Sequence, residues 1–174
     1  MTGKRFSQLW IFFLVLLLTV SCVAQSTDRV IFLVRHAERA SQEKDSVLSP
    51  EGKKRAQCLS DVLRDAGVNA IFVTQFVRTQ QTAEPLAKKI GVHPVIVNSA
   101  DTDALVQKVH STAAEVMLIV GHSDTLPGII AKLGGGTVAP VATDEYDRMY
   151  VLHSNGSNTA PVVTLHYCRC AFRK

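Results

Sequence analysis

The chain has 174 residues, 47% of them hydrophobic and 20% charged, with ten glycines, six prolines and four cysteines. That composition excludes disordered and collagen-like chains and suits one globular domain with a sizeable core. Setting aside Lys4 and Arg5 in the leader, 17 basic residues face 15 acidic ones, so the formal +4 falls to +2 from Gln25 onward. No basic stripe with interleaved aromatics accompanies it, and nucleic acid is not expected as a partner.

Residues 1–24 read as a signal peptide or lipoprotein signal. Lys4 and Arg5 form a positive start, and residues 9–20 are an almost unbroken apolar run. Twelve residues are too few to cross a bilayer core of about 30 Å comfortably. The small residues Ser21 and Ala24 flank Cys22-Val23, which permits cleavage after Ala24. Val20-Ser21-Cys22 is similar to the end of a bacterial lipobox, with Thr19 where Leu is usual, so a lipidated Cys22 is the alternative. An uncleaved anchor is the third reading. The domain, residues 25–174, is therefore expected outside the cytoplasm, in the periplasm or the extracellular space, meeting a membrane only through an N-terminal lipid or anchor.

Export permits disulfides. Of Cys58, Cys168 and Cys170, at most one intramolecular pair can form, and which one is left open. Cys168-x-Cys170 lacks the two-pair spacing of a zinc site, so neither a metal nor an organic cofactor is expected.

In chain order, residues 30–34 are an apolar run of the kind a strand buried on both faces requires. Ser49 then caps a helix with Pro50 in its first turn; Ala56, Leu59, Leu63 and Ala66 line one face, and Gly67 ends it. Residues 70–73 form a second strand. A helix over 78–90 follows, with Pro85 expected to kink it and Gly91 to close it. Residues 95–97 are a third strand, 102–109 a short helix and 116–120 a fourth strand. Thr125-Leu126-Pro127 opens a helix that stops in Gly134-Gly135-Gly136. Residues 149–152 and 162–165 are the last strands, with a turn at Asn155-Gly156. This βαβαβαβαββ order predicts a three-layer α/β sandwich around a mostly parallel sheet with an antiparallel edge.

Chemistry in such a sheet collects where strands end and helices begin. The first strand runs into Arg35-His36-Ala37-Glu38, the second toward Arg78-Thr79-Gln80-Gln81-Thr82, and the fourth into Gly121-His122-Ser123-Asp124. In parallel strands, Arg35, His36, Arg78 and His122 converge at one edge, close to helix N-termini whose free N–H groups favour an anion. Singly, each has an ordinary explanation as a surface charge or a cap. Together at three successive crossings they describe a pocket for a phosphate dianion.

These segments resemble the signatures of the histidine phosphatase superfamily, the phosphoglycerate-mutase-like fold. Leu33-Val34-Arg35-His36-Ala37-Glu38 looks like its first motif, Arg78-Thr79-Gln80-Gln81-Thr82-Ala83 its second and Val120-Gly121-His122-Ser123 its third. Tyr146-Asp147-Arg148-Met149-Tyr150-Val151 is similar to a late strand of small members. The resemblance implies a phosphatase acting on a phosphomonoester or phosphoprotein, with His36 as nucleophile and a phosphohistidine intermediate. Arg35, Arg78 and His122 would hold the phosphoryl oxygens. A phosphate-binding scaffold without turnover is the alternative, and a phosphomutase the third reading.

Larger members usually carry a proton-donating acid in an insertion between the third and fourth strands, where only about eighteen residues separate Val97 from Val116 here. Glu38 and Asp124 are the foremost candidates for that acid, being nearest His36 and His122; Asp101 and Asp103 follow. The absence of a capping insertion places the chain with the compact phosphatases, with a shallow, open pocket.

Overall fold

A computed structural model describes residues 28–154 and 160–168. The expected leader, Cys22, Cys170 and the Asn155-Gly156 turn lie outside the described residues. Six strands form one sheet: β1 (Arg29–Arg35), β2 (Ala70–Thr74), β3 (Val95–Val97), β4 (Val116–Gly121), β5 (Arg148–Ser154) and β6 (Val162–His166). Their spatial order is β3-β2-β4-β1-β5-β6. The first four in chain order are mutually parallel, while β5 and β6 add antiparallel at one side. The expected sandwich with an antiparallel edge is what forms.

Side-chain alternation in the central strands explains the three layers. Ile31 and Leu33 of β1 join Met117 and Ile119 of β4 on one face, in a core with Leu105, Val109, Leu126 and Ile130. These last four belong to helices α3 (Thr102–Ser111) and α4 (Leu126–Lys132). Val34, Leu118 and Val120 point to the other face and pack with Leu59, Leu63 and Leu86, from α1 (Pro50–Leu63) and α2 (Val77–Ile90). Strands covered on both sides need continuous apolar runs, and β1 and β4 have them.

The helix ends follow local chemistry. Ser49 Oγ accepts from the Gly52 N–H at 3.0 Å and caps α1. That helix stops at Leu63, short of the expected Ala66, and Gly67 at φ +76° turns the chain into β2. Helix α2 runs from Val77 to Ile90 without interruption at Pro85, and Gly91 ends it in the left-handed conformation at φ +72°. Gly52 has a different reason. A β-carbon there would collide with the backbone carbonyl of Glu38, which already accepts from the Ser49 N–H at 2.9 Å. The start of α1 therefore rests directly on the segment after His36.

Of the pairings left open, a disulfide joins Cys58 of α1 to Cys168 just past β6, with Cα atoms 6.3 Å apart and 110 residues between them in sequence. Tyr167, beside it, is buried in the core under α1 and α2. The bridge pins the end of the antiparallel edge to that helical layer. A loop of this length constrains the unfolded chain strongly, so Cys168→Ser should lower unfolding free energy by about 2–4 kcal/mol. Equilibrium denaturant unfolding of the oxidised wild type and the variant checks this; equal midpoints would refute it.

Candidate active site

The parallel pairing of β1 with β4 places Arg35 opposite Gly121. One further bond, from the His36 N–H to the Gly121 carbonyl at 2.9 Å, continues the ladder past the strand end. His36 and His122 leave the sheet side by side, ring centroids 5.4 Å apart. Arg78, at the start of α2, sends Nη2 to within 3.4 Å of His122 Nδ1. Arg35, His36, Arg78 and His122 all line one cleft of about 980 Å³. Each is less than 10% exposed: 6%, 4%, 8% and 7% in that order.

The guanidiniums are buried as cations without carboxylates. Arg35 Nη1 donates to the carbonyls of Ala142, Thr143 and Glu145 at 3.0, 2.8 and 3.1 Å, and its head lies 4.1 Å from the centroid of the Tyr146 ring. Arg78 Nη1 donates to the Lys44 carbonyl at 2.8 Å, and its head lies 4.2 Å from the centroid of Phe76. Among the described residues, neither guanidinium has an ion pair. Carbonyl dipoles and aromatic faces orient them, but neither cancels a full charge.

Both imidazoles are held neutral. Burial pushes the pKa of His36 down to about 3, with His122, Arg78 and Arg35 lowering it further. Burial is the larger cause, ahead of the neighbouring guanidiniums. His122 falls to about 4, again through burial first and Arg78 second, while the Asp124 carboxylate opposes the shift. His36 Nδ1 lies 2.8 Å from the Ala37 carbonyl, which only accepts. Nδ1 therefore carries the proton, and Nε2 keeps a free lone pair.

The four candidate acids part company. Glu38 is not brought to the cleft: Arg55 of α1 takes its carboxylate through Nε at 2.9 and 3.0 Å and Nη2 at 2.7 Å. Sequence proximity to His36 misleads here because Arg55 holds the Glu38 carboxylate outside the cleft. Asp101 caps α3 by accepting from the Ala104 N–H at 2.8 Å. Asp103 is ion-paired with Lys132 of α4 on the surface. Asp124 lines the cleft.

Several residues that sequence reasoning missed serve the same place. Arg39, Phe76, Asp144 and Tyr146 line the cleft. Thr82 Oγ1 accepts from the Ala37 N–H at 2.9 Å and donates to the Arg78 carbonyl at 2.7 Å, tying α2 to the segment that carries His36. Thr74 touches His122 Nε2 at 3.1 Å. Thr79 and Thr82 lay within the second motif, three residues apart and so on one helical face, which was the signal available for them. The 142–145 carbonyls that hold Arg35 have no sequence signature. Glu145, Asp147 and His166 bring their ligating atoms within 4.8 Å of one another. Arg148 takes Glu145 at 2.7 Å and His166 meets Asp147 at 3.2 Å, so these groups already satisfy one another.

Comparison with known proteins agrees with this geometry. Residues 31–100 match the family model described as histidine phosphatase superfamily (branch 1). A search of curated proteins finds no match. Among solved structures, the chain is similar to the protein histidine phosphatase SixA complexed with tungstate, at 15% identity and TM-score 0.66, covering 83% of this chain and 99% of that one. It is similar to a candidate SixA phosphohistidine phosphatase of Nakamurella multipartitia, at 20% identity and TM-score 0.59, covering 81% and 97%. A mycobacterial glucosyl-3-phosphoglycerate phosphatase with inorganic phosphate is similar at 13% identity and TM-score 0.62, covering 79% and 95%.

A cleft holding unpaired buried cations should take a tetrahedral oxyanion and gain stability from it. At a hundredfold excess over its dissociation constant, vanadate should stabilise the fold by about 2.7 kcal/mol, and Arg78→Ala should remove most of that gain. Thermal unfolding across a vanadate titration measures both; a flat wild-type response would overturn the assembled site.

Proposed function

We propose that the chain, whose residues 31–100 match the histidine phosphatase superfamily and whose fold is shared with known phosphatases, is a phosphatase that hydrolyses a phosphomonoester or phosphoprotein through a phosphohistidine on His36. The observation that carries this reading is the pair of buried guanidiniums with no ion-paired carboxylate among the described residues, set around a neutral histidine whose Nε2 lone pair is free. Buried cations of this kind call for an anionic ligand, and a phosphoryl group matches the two forks.

In the proposed reaction the Nε2 lone pair of His36 attacks phosphorus while the bond to the leaving oxygen breaks, its electrons departing with that oxygen. Arg35, Arg78 and His122 surround the phosphoryl oxygens, whose charge they stabilise without reorganising. Asp124, the sequence-derived acid that lines the cleft, protonates the leaving oxygen. As a carboxylate it then takes a proton from the water that attacks phosphorus, releasing phosphate and restoring the His36 lone pair. Among the described residues no capping insertion stands over the cleft, which favours an extended or macromolecular phosphoester over a small enclosed one. Export remains part of the proposal, supported by the Cys58–Cys168 bridge, since disulfides persist in oxidising compartments. A mature N-terminus at Gln25 or at a lipidated Cys22 is its test, and a cytoplasmic protein beginning at Met1 its refutation.

Turnover of an aryl phosphate by the purified domain should vanish in His36→Ala. Labelled phosphoenzyme trapped under alkaline conditions, where a phosphoramidate survives, should be lost with it. A variant retaining more than a few per cent of the rate would exclude His36 as nucleophile. Because His36 stays neutral until the pH falls toward about 3, the acid limb of kcat/KM should lie far below an ordinary histidine's.

Asp124→Asn should leave aryl esters nearly unaffected, because those leaving groups need little protonation, and slow alkyl esters by about 10²–10⁴. Equal losses on the two substrate types would remove Asp124 from the role.

A further inference from the structure

In the proposed reaction every oxygen on phosphorus has a partner. Arg35, Arg78 and His122 meet the non-bridging oxygens, and Asp124 protonates the bridging one. The cleft holds one more guanidinium. Arg39 lines it together with Gln42, is partly buried, and donates from Nη2 to the Gln42 amide oxygen at 2.6 Å. An amide oxygen orients a cation without neutralising it. Among the described residues Arg39 has no ion pair.

The segment that places Arg39 also holds Arg78. Arg39 and Leu48 form an antiparallel bridge, and the Ala40 N–H donates to the Val47 carbonyl at 2.9 Å. Ser46 Oγ accepts from the Ser41 N–H at 2.9 Å, which closes the loop on itself. The loop is also fastened to α2: the Lys44 carbonyl accepts from Arg78, and the Asp45 carboxylate accepts the Val77 N–H, both at 2.8 Å. One loop thus brings two guanidiniums to the same cleft, where they repel. Burial disfavours the charged form of Arg78 most, and Arg39 comes next. Arg39 acts in the same sense on Arg35 and on His122. Like charges kept close without a counterion lower stability, and an anionic ligand offsets that loss. The cleft's remaining charge has the other sign: Asp144 sits on the loop whose carbonyls hold Arg35.

We propose that Arg39, oriented by Gln42, is a second anion subsite beside the phosphoryl pocket, and that the preferred substrate is a phosphomonoester whose leaving group carries a carboxylate. The proposal rests on the phosphatase reading above and adds a feature of the leaving group to it. The phosphoryl group takes two guanidiniums, whereas a single planar fork pairs with a carboxylate through two parallel hydrogen bonds. Gln42 occupies one of the five N–H donors of Arg39, so a fork stays available. Asp144 repels the same group, and the leaving group therefore lies with its carboxylate toward the 39–48 loop.

The test uses aryl phosphates that carry a carboxylate at the meta position, at the para position or on a short para chain, each beside its carboxamide. The amide has nearly the same shape and no charge. For at least one placement the wild type should favour the acid over the amide by about tenfold in kcat/KM, the scale of a charge-assisted hydrogen bond, with the difference lying in KM. Arg39→Gln should bring that ratio down toward the level set by the leaving groups alone. Comparing the ratio between wild type and variant removes differences in leaving-group chemistry and any general loss of phosphoryl binding. Added salt should erode the wild-type preference, because Arg39 is partly exposed. A ratio unchanged by Arg39→Gln at every placement would overturn the proposal. Binding without turnover gives a second readout. Phosphonoacetate and its longer homologues should raise the melting temperature more than methylphosphonate does, and Arg39→Gln should remove that surplus. If no ester is hydrolysed, the phosphatase reading fails, and the phosphonates still decide the subsite: a surplus lost with Arg39 supports it, and no surplus overturns it.

Discussion

Everything at this site depends on the parallel register of β1 and β4. Pairing Arg35 with Gly121 and then donating the His36 N–H to the Gly121 carbonyl fixes two strand ends to the same level. A shift of one residue would turn the two histidines to opposite faces of the sheet, because strand side chains alternate. Neighbouring strands lie about 4.8 Å apart, close to the 5.4 Å between the two rings. The spacing of the reactive pair is thus the spacing of the sheet, and no loop has to be ordered to set it.

The second demand is that two cations remain buried while nothing neutral or anionic from the protein fills the space in front of them. The fold meets it with groups that orient without cancelling charge. Carbonyls of residues 142–145 and of Lys44 hold the guanidinium edges, and Tyr146 and Phe76 cover their planes. Two of the nearby carboxylates are diverted, while Asp124 and Asp144 line the cleft. Glu38 is taken by Arg55, and Asp45 accepts the Val77 N–H at 2.8 Å, where it serves the start of α2.

The fold and the four convergent residues were legible in the sequence for one reason. Continuous apolar runs identify strands buried on both faces, and a strand so buried has a definite end where polar residues begin. Arg35, His36 and His122 stand at such ends, and Arg78 at the helix start that follows one. Direction beyond the strand end was not legible. Glu38 is two residues from His36, yet its partner Arg55 comes from a helix 17 positions later. The main cause of the low His36 pKa was not legible for a related reason: arginines are visible in a motif, while the burial of a ring depends on everything packed around it. The Arg35 clamp was hidden altogether, since any residue supplies a carbonyl.

Gly52 shows how far the cleft extends into what looks like scaffold. It lies on a helix, away from both histidines in sequence, and it contributes no group to any reaction. Yet the missing β-carbon is what lets α1 lie against the Glu38 carbonyl, and that contact sets the path of the chain leaving His36. Any side chain at position 52 would therefore push against the segment that carries His36. Gly91, with its left-handed backbone and open surroundings, answers only to the local geometry of a helix end. Gly52 answers to the cleft, although the residue has no chemistry of its own.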